Sequence, residues 1–437
     1  MNELTGPASK AADTLPFRIA GGVMAAAIAF IHIIPRSSWL ALIVITGTLA
    51  WLLWRDGWTL NQAKRPTATS LGLVAFGSLA VLGAAWAAVP ALAVHSGLVF
   101  IAQVVLATVG ADAAARLPNV AIRRLSEGLL IGVAVGVAYL LVDGATRLSI
   151  YRLFFETLAY LAPGYGQDTL ALSERLSKLG PSDIKRNMAE AALLIWPVLL
   201  IAWRGNIFRR SRGVAFMILA IVALAGVLIN HDSSLLAMAL GLAVLTGAKF
   251  AYRATWPAVA ATWCILNLLL VPAALWQFHA KLYLLNWIQF SARARMVIWG
   301  YSAEQILKSP VLGIGAGSGA VLDARQTHFD LAPGSNFPLS TANHQHDIFL
   351  QTWYEMGGLG ALVLCATGLV ALWRLRKLPD PVRGYGLAAF ASTMGMISTS
   401  YGLWQEWFQA SIAISAIALV IAIRAARVEA FDIKTRS

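Results

Sequence analysis

Asn343-His344-Gln345-His346-Asp347 is the densest polar cluster in the chain, at the mouth of a long apolar run. Imidazole is the side chain poised to accept a proton near neutral pH, so this cluster offers a general base at a lipid–water boundary. His344 and His346 stand at i and i+2. That spacing points two side chains apart on a helix and brings them to one face only in an extended or cap-like segment. A metal site would draw in His328, Asp330 or Asp347, but no CxxC or HExxH spacing supports one, and no metal is expected. The plainer use of these residues is capping, with Asn343 or Asp347 as N-cap of the helix that follows.

Upstream lies Ser291-Ala-Arg293-Ala-Arg295-Met-Val-Ile-Trp299, followed by Gly300, Tyr301 and Glu304. Arg293 and Arg295 either solvate an outer helix or grip a phosphate, which the planar guanidinium does bidentately. Trp299 follows Arg295 by four residues, on the same helical face, and supplies an amphipathic wall. Arg186, beside Lys185, either snorkels at the interface or adds a third cation at the same depth. Gly313, Gly315, Gly317 and Gly319 alternate after Pro310. Their spacing is not GxGxxG and no βαβ unit surrounds them, so a nucleotide site is not expected. They let backbone segments pack closely, or let amides approach a ligand phosphate.

The elements that must position these groups are membrane helices. Of 437 residues, 58% are hydrophobic and 13% charged, with mean hydropathy +0.68. Soluble chains are about 45–50% apolar and about 25% charged, so a soluble enzyme, a disordered protein and a disulfide scaffold are excluded. Cys264 and Cys365 both lie inside apolar runs, as small buried hydrophobes. The hydropathy predicts an all-α polytopic membrane protein forming a single integral membrane domain over 1–437. It has about twelve apolar runs, from Phe17–Ile34 to Ser411–Ile423. Lys and Arg exceed Asp and Glu by 34 to 21, a net charge of +13. The cations cluster in alternate connections, as the positive-inside rule requires, which places both termini in the cytoplasm and leaves no need for a nucleic-acid partner. Two long segments then face outward. Gly144–Met188 reads as interfacial helices, Tyr151–Leu161 and Leu170–Leu179, lying on the leaflet. Gln277–Gln345 carries the arginines, glycines and histidines, and loops of that length are usually functional.

The order of these motifs resembles the bacterial O-antigen ligase/O-antigen polymerase superfamily. It runs Arg295-x3-Trp299, Pro310-x2-Gly313-x-Gly315, His344-x-His346, then Gln351 and Glu355-x-Gly357-x2-Gly360. The superfamily's ligases carry a histidine, then Asn, Ser or Gln, nine residues and Gly-x2-Gly. Here His346 is followed by Asp347, nine residues, Gly357 and Gly360, with Asp in place of the amide or hydroxyl. The resemblance implies a GT-C-like inner-membrane glycosyltransferase that needs no cofactor. Such an enzyme moves a glycan from undecaprenyl diphosphate to an acceptor, lipid A-core for a ligase, at a periplasmic active site amid membrane lipid. Many relatives carry Ser-Arg before the eighth span, where this chain reads Asn230-His231-Asp232-Ser233-Ser234; Arg186 is the candidate substitute.

Residues and resemblance then fit one reaction. His346 takes the proton of the attacking hydroxyl, with Asp347 or Glu355 as orienters. Arg295, with Arg293 or Arg186, stabilises charge on the leaving diphosphate. His344, Trp299, Gly313 and Gly315 complete the substrate-binding set. A polymerase or protein glycan transferase would share this chemistry. A transporter should carry acids near the midplane, whereas Asp143, Glu190, Asp232, Asp347, Glu355 and Glu406 fall mostly near outer ends.

Overall fold

The computed structural model describes residues 13–55, 57, 66–146, 148–153, 184–204, 211–380 and 382–434. Among them the chain is all-α apart from one isolated bridge, Leu331 with Pro338. The helices are α1 (Leu15–Ile33), α2 (Ser38–Arg55), α3 (Ala68–Leu82), α4 (Pro90–Arg116), α5 (Asn119–Ala145), α6 (Lys185–Arg204) and α7 (Ser211–Ile229). There follow α8 (Asp232–Leu268), α9 (Leu270–His279), α10 (Phe290–Ile306), α11 (Ser318–Ala324), α12 (Ile348–Arg376), α13 (Val382–Ile397) and α14 (Glu406–Lys434). Nine helices among the described residues are long and apolar enough to cross a membrane, which makes this an all-α membrane protein. Segment 154–183, with most of the interfacial helices expected in Gly144–Met188, lies outside the described residues.

Two apolar runs read separately from the sequence, Leu235–Ala248 and the start of Trp256–Trp276, share the 37 residues of α8. An unbroken helix of that length would measure about 55 Å, nearly twice the hydrocarbon thickness. It is broken at Ala251, whose backbone (φ −145°, ψ 53°) is not helical. The run Val214–Ile229 falls in α7, and Gly384–Thr399 lies in the 16-residue α13 except for its last two residues.

Contacts divide the chain into two compact units. One comprises 1–64, 109–231 and 414–437, the other 65–108 and 232–413. In the first, α1 packs along α5 and α6 along α7. Asn187 donates through Nδ2 to the carbonyls of His32 (2.6 Å) and Ile33 (3.0 Å). Ser38 Oγ donates to Glu190 Oε1 at 2.7 Å. These bonds satisfy backbone and carboxylate groups that lipid could not. In the second, α8 packs on α13, α3 on α12 and α10 on α12. Trp263 stands edge-on to Phe349 and Phe390, and its Nε1 donates to the Cys365 carbonyl at 3.0 Å.

Candidate active site

The site is built on a fault in α12. Gly357 (φ 62°, ψ −168°) leaves the helical ladder, which orphans carbonyls before it and amides after it. In lipid each unpaired group would cost several kcal/mol, about the price of a lost hydrogen bond in hydrocarbon. Segment 310–315 supplies both sets of partners. Ile314 N donates to the Tyr354 carbonyl (3.1 Å) and Gly315 N to the Glu355 carbonyl (2.9 Å). Gly358 N and Leu359 N donate to the carbonyls of Pro310 (2.8 Å) and Val311 (3.3 Å). So close an approach needs glycine on both sides. A Cβ at 357 would overlap the Val311 carbonyl, and one at 313 the carbonyl carbon of Glu355, both at positive φ. Gly357→Ala is therefore expected to destabilise the protein by more than about 2 kcal/mol, combining left-handed strain with backbone overlap. Thermal unfolding in detergent checks this, and an unchanged melting temperature would refute it.

Glu355 fastens the same joint. Its Oε2 accepts from Gly317 N (2.8 Å) and from Trp404 Nε1; its Oε1 accepts from Gly319 N (3.3 Å) and Gln351 Nε2 (3.3 Å). Gln351 Oε1 takes the amide of Leu403 at 2.7 Å. The glycine-loop amides of residues 313, 315, 317 and 319 are thus engaged within the chain. Of the two uses open to these glycines, the structure displays close packing. Glu355 holds the glycine segment and the 400–404 turn, and its bonds are not to His346.

The histidines lie on a bent approach to α12. Ala342 (φ 54°) and His346 (φ 54°) both adopt left-handed backbone, a conformation costing a non-glycine residue about 1–2 kcal/mol. The bend brings the two rings to 4.2 Å between centroids, edge to face, as a helix would not. His344 Nδ1 accepts the His346 amide at 3.2 Å. Trp299 Nε1 donates to the Gln345 carbonyl at 2.8 Å, tying the loop to α10. Asp347 is the N-cap of α12, its Oδ1 accepting from Leu350 N at 2.9 Å. Burial pushes its carboxyl up to about 7 against the pull of the Leu350 and Phe349 amides.

His346 Nδ1 lies 3.0 Å from the Ser400 carbonyl. A carbonyl only accepts, so the neutral ring carries its proton on Nδ1 and leaves the Nε2 lone pair free. Burial holds this imidazole below its ordinary pKa; the Ser400 bond works the other way, and the Arg295 charge lowers it further. Two effects therefore favour the ring with Nε2 unprotonated. Arg295 sits half-buried on α10, its pKa lowered by burial and supported by the Asp232 carboxylate at the start of α8.

The remaining candidates are distributed as follows. Arg293 Nη1 donates to Asn286 Oδ1 at 2.9 Å, and its guanidinium lies 5.8 Å from the Phe337 ring centroid. Arg186 lies in the first turn of α6, in the other compact unit from His346. Among the described residues no group of three His, Cys, Asp or Glu side chains converges as a ligand set would. Sequence reasoning missed Ser400 and Trp404. A backbone carbonyl has no sequence signature, and Trp404 resembled any aromatic at a membrane boundary. Asp232 was legible as an acid near the outer end of a span and as the place where an arginine was expected, but not as a partner of Arg295.

No family model matches the chain. A Rickettsia conorii protein described as "Putative polysaccharide ligase RC0486" is 29% identical over 127 residues. That match covers 28% of this chain and 30% of the relative's own length. The likeness is to a protein of that description, distant and confined to under a third of either chain.

Proposed function

We propose that the protein is a membrane glycosyltransferase that moves a glycan from a lipid diphosphate to an acceptor hydroxyl, with His346 as general base. The observation that carries this reading is the His346 ring: its Nδ1 3.0 Å from the Ser400 carbonyl, leaving Nε2 for an acceptor proton, with Arg295 close enough to lower its pKa. The distant likeness to a polysaccharide ligase supports the substrate class.

In the reaction the acceptor O–H gives its proton to His346 Nε2 as its oxygen bonds to the anomeric carbon. The bond from that carbon to the diphosphate oxygen breaks, and the electron pair leaves on the diphosphate. Arg295 offsets the charge that accumulates there, an electrostatic effect strengthened by exclusion of water. One displacement inverts the anomeric centre. Arg293 is a further cation for the phosphates; His344, Trp299 and Asp347 line and orient the base. Gly313, Gly315 and Glu355 keep the surrounding backbone in register. We assign the donor as an undecaprenyl diphosphate-linked glycan and the acceptor as lipid A-core. The enzyme is then a GT-C-like ligase of the bacterial inner membrane, with cytoplasmic termini and a periplasmic site.

Purified protein in nanodiscs, given the lipid-diphosphate glycan and either lipid A-core or a second lipid-linked repeat, tests the assignment. Product on lipid A-core alone supports the ligase, and ladders without it identify a polymerase. Absence of product with either acceptor refutes glycan transfer. Persistence in EDTA is expected of a site without a metal. The pH profile is a further prediction. The imidazole must be unprotonated to act, and burial and the Arg295 charge lower its pKa, so its acid limb should lie below that of an ordinary imidazole, while a second step near pH 7 would report the buried Asp347 carboxyl. An acid limb above pH 7 that persists in Asp347→Asn would contradict a buried base next to Arg295.

A further inference from the structure

At one edge of the second unit, the break in α8 meets the end of α12 and the start of α13. Lys249, Arg253, Arg374, Arg376, Lys377 and Arg383 gather there against one acid, Asp380. The two sides are joined by Trp256 Nε1, which donates to the Leu372 carbonyl at 3.0 Å. Aromatic rings hold the cations in place: Arg376 lies 5.1 Å from the Trp256 centroid, Arg383 4.1 Å from Tyr252 and Lys377 3.3 Å from Trp373. Arg383 is paired with Asp380 at 3.0 Å. For the other five, no carboxylate lies in ion-pair range among the described residues. A ring face attracts a cation without cancelling its charge, and it leaves the N–H edges of a guanidinium turned outward.

We propose that this edge binds the phosphate headgroup of an anionic phospholipid. Charge complementarity argues for an anion, and the flanking surface argues for a lipid. Phe250 is 77% exposed and Trp373 51%, at the ends of membrane helices, where amphipathic rings sit at headgroup level. A soluble anion would meet the cations but gain nothing from those apolar flanks. Clusters of four to eight cations next to a membrane helix have the strength to retain such lipids. The exposed Arg374 and Lys377 would supply much of the attraction, while Arg376 and Arg383 are fixed by Trp256 and Tyr252.

Native mass spectrometry of the full-length protein, released from mixed micelles of phosphatidylglycerol and phosphatidylcholine, tests the proposal. The wild type should retain phosphatidylglycerol preferentially. R374Q/K377Q should bind it about tenfold to thirtyfold more weakly, from the worth of two surface charges. The charge-preserving R374K/K377R should keep most of it. Equal retention of both lipids by the wild type overturns the proposal, as does undiminished binding by R374Q/K377Q. Displacement of the lipid by an equal concentration of glycerol 3-phosphate would identify a free-phosphate site and also overturn it. The wild-type comparison decides by itself if the double variant does not fold.

Discussion

His346→Asn lowers the glycan-transfer rate constant by about 10²–10⁴-fold while leaving the melting temperature nearly unchanged, the loss expected when a positioned general base is removed. Asparagine is the informative replacement because it tolerates left-handed backbone, which position 346 requires (φ 54°). His346→Ala would add backbone strain to the chemical loss and confuse the two. The variant removes the Nε2 lone pair, while its amide N–H can still donate to the Ser400 carbonyl, and it keeps the bend that carries Asp347 into its capping position. The loss should fall on kcat, since the acceptor proton moves only in the transition state. His344 accepts the 346 amide at 3.2 Å and shapes the bend, so His344→Ala should cost less than His346→Asn. Transfer by His346→Asn within tenfold of the wild type would end the assignment of the base.

Arg295→Ala is expected to cost about 10²–10³-fold in kcat, the usual effect of deleting one group that stabilises developing negative charge. The guanidinium is half-buried, where neighbours screen it less than bulk water would. Its deletion also releases His346 from a like charge, so the imidazole pKa should rise and the acid limb move to higher pH. The two effects read the same residue through independent measurements. Arg295→Lys should retain the charge and most of the pH profile while losing bidentate contact, giving an intermediate rate. Guanidinium ion added at millimolar concentration should partly rescue Arg295→Ala and leave Arg295→Met, which fills the site, unrescued. An Arg295→Ala enzyme with unaltered kcat and an unmoved acid limb would place this arginine outside the reaction.

Much of this was legible in the chain itself. Membrane residence follows from composition, because lipid tolerates few charges and requires long apolar helices. The polar cluster at 343–347 and the arginines of α10 stood out for the same reason: charged and polar groups are conspicuous in a chain with 13% charged residues. Asp347 as N-cap was readable from residue type and position. The extent of α8 was less so. Hydropathy marks where apolar residues lie, while the turn at Ala251 is a single backbone conformation that no residue type announces.

By itself, then, the sequence determined which groups exist and roughly where the bilayer puts them, since both depend on local composition and spacing. Only the tertiary structure decided what each group is free to do. The Nε2 of His346 is available because a carbonyl 54 residues away holds Nδ1. The loop stays in place because Trp299, 46 residues before Gln345, grips its backbone. Glu355 is turned from reaction to support by amides and an indole 36 to 49 residues distant. Hydrogen bonds are short and directional, so the partner that takes up one lone pair and spares the other is set by where distant segments meet.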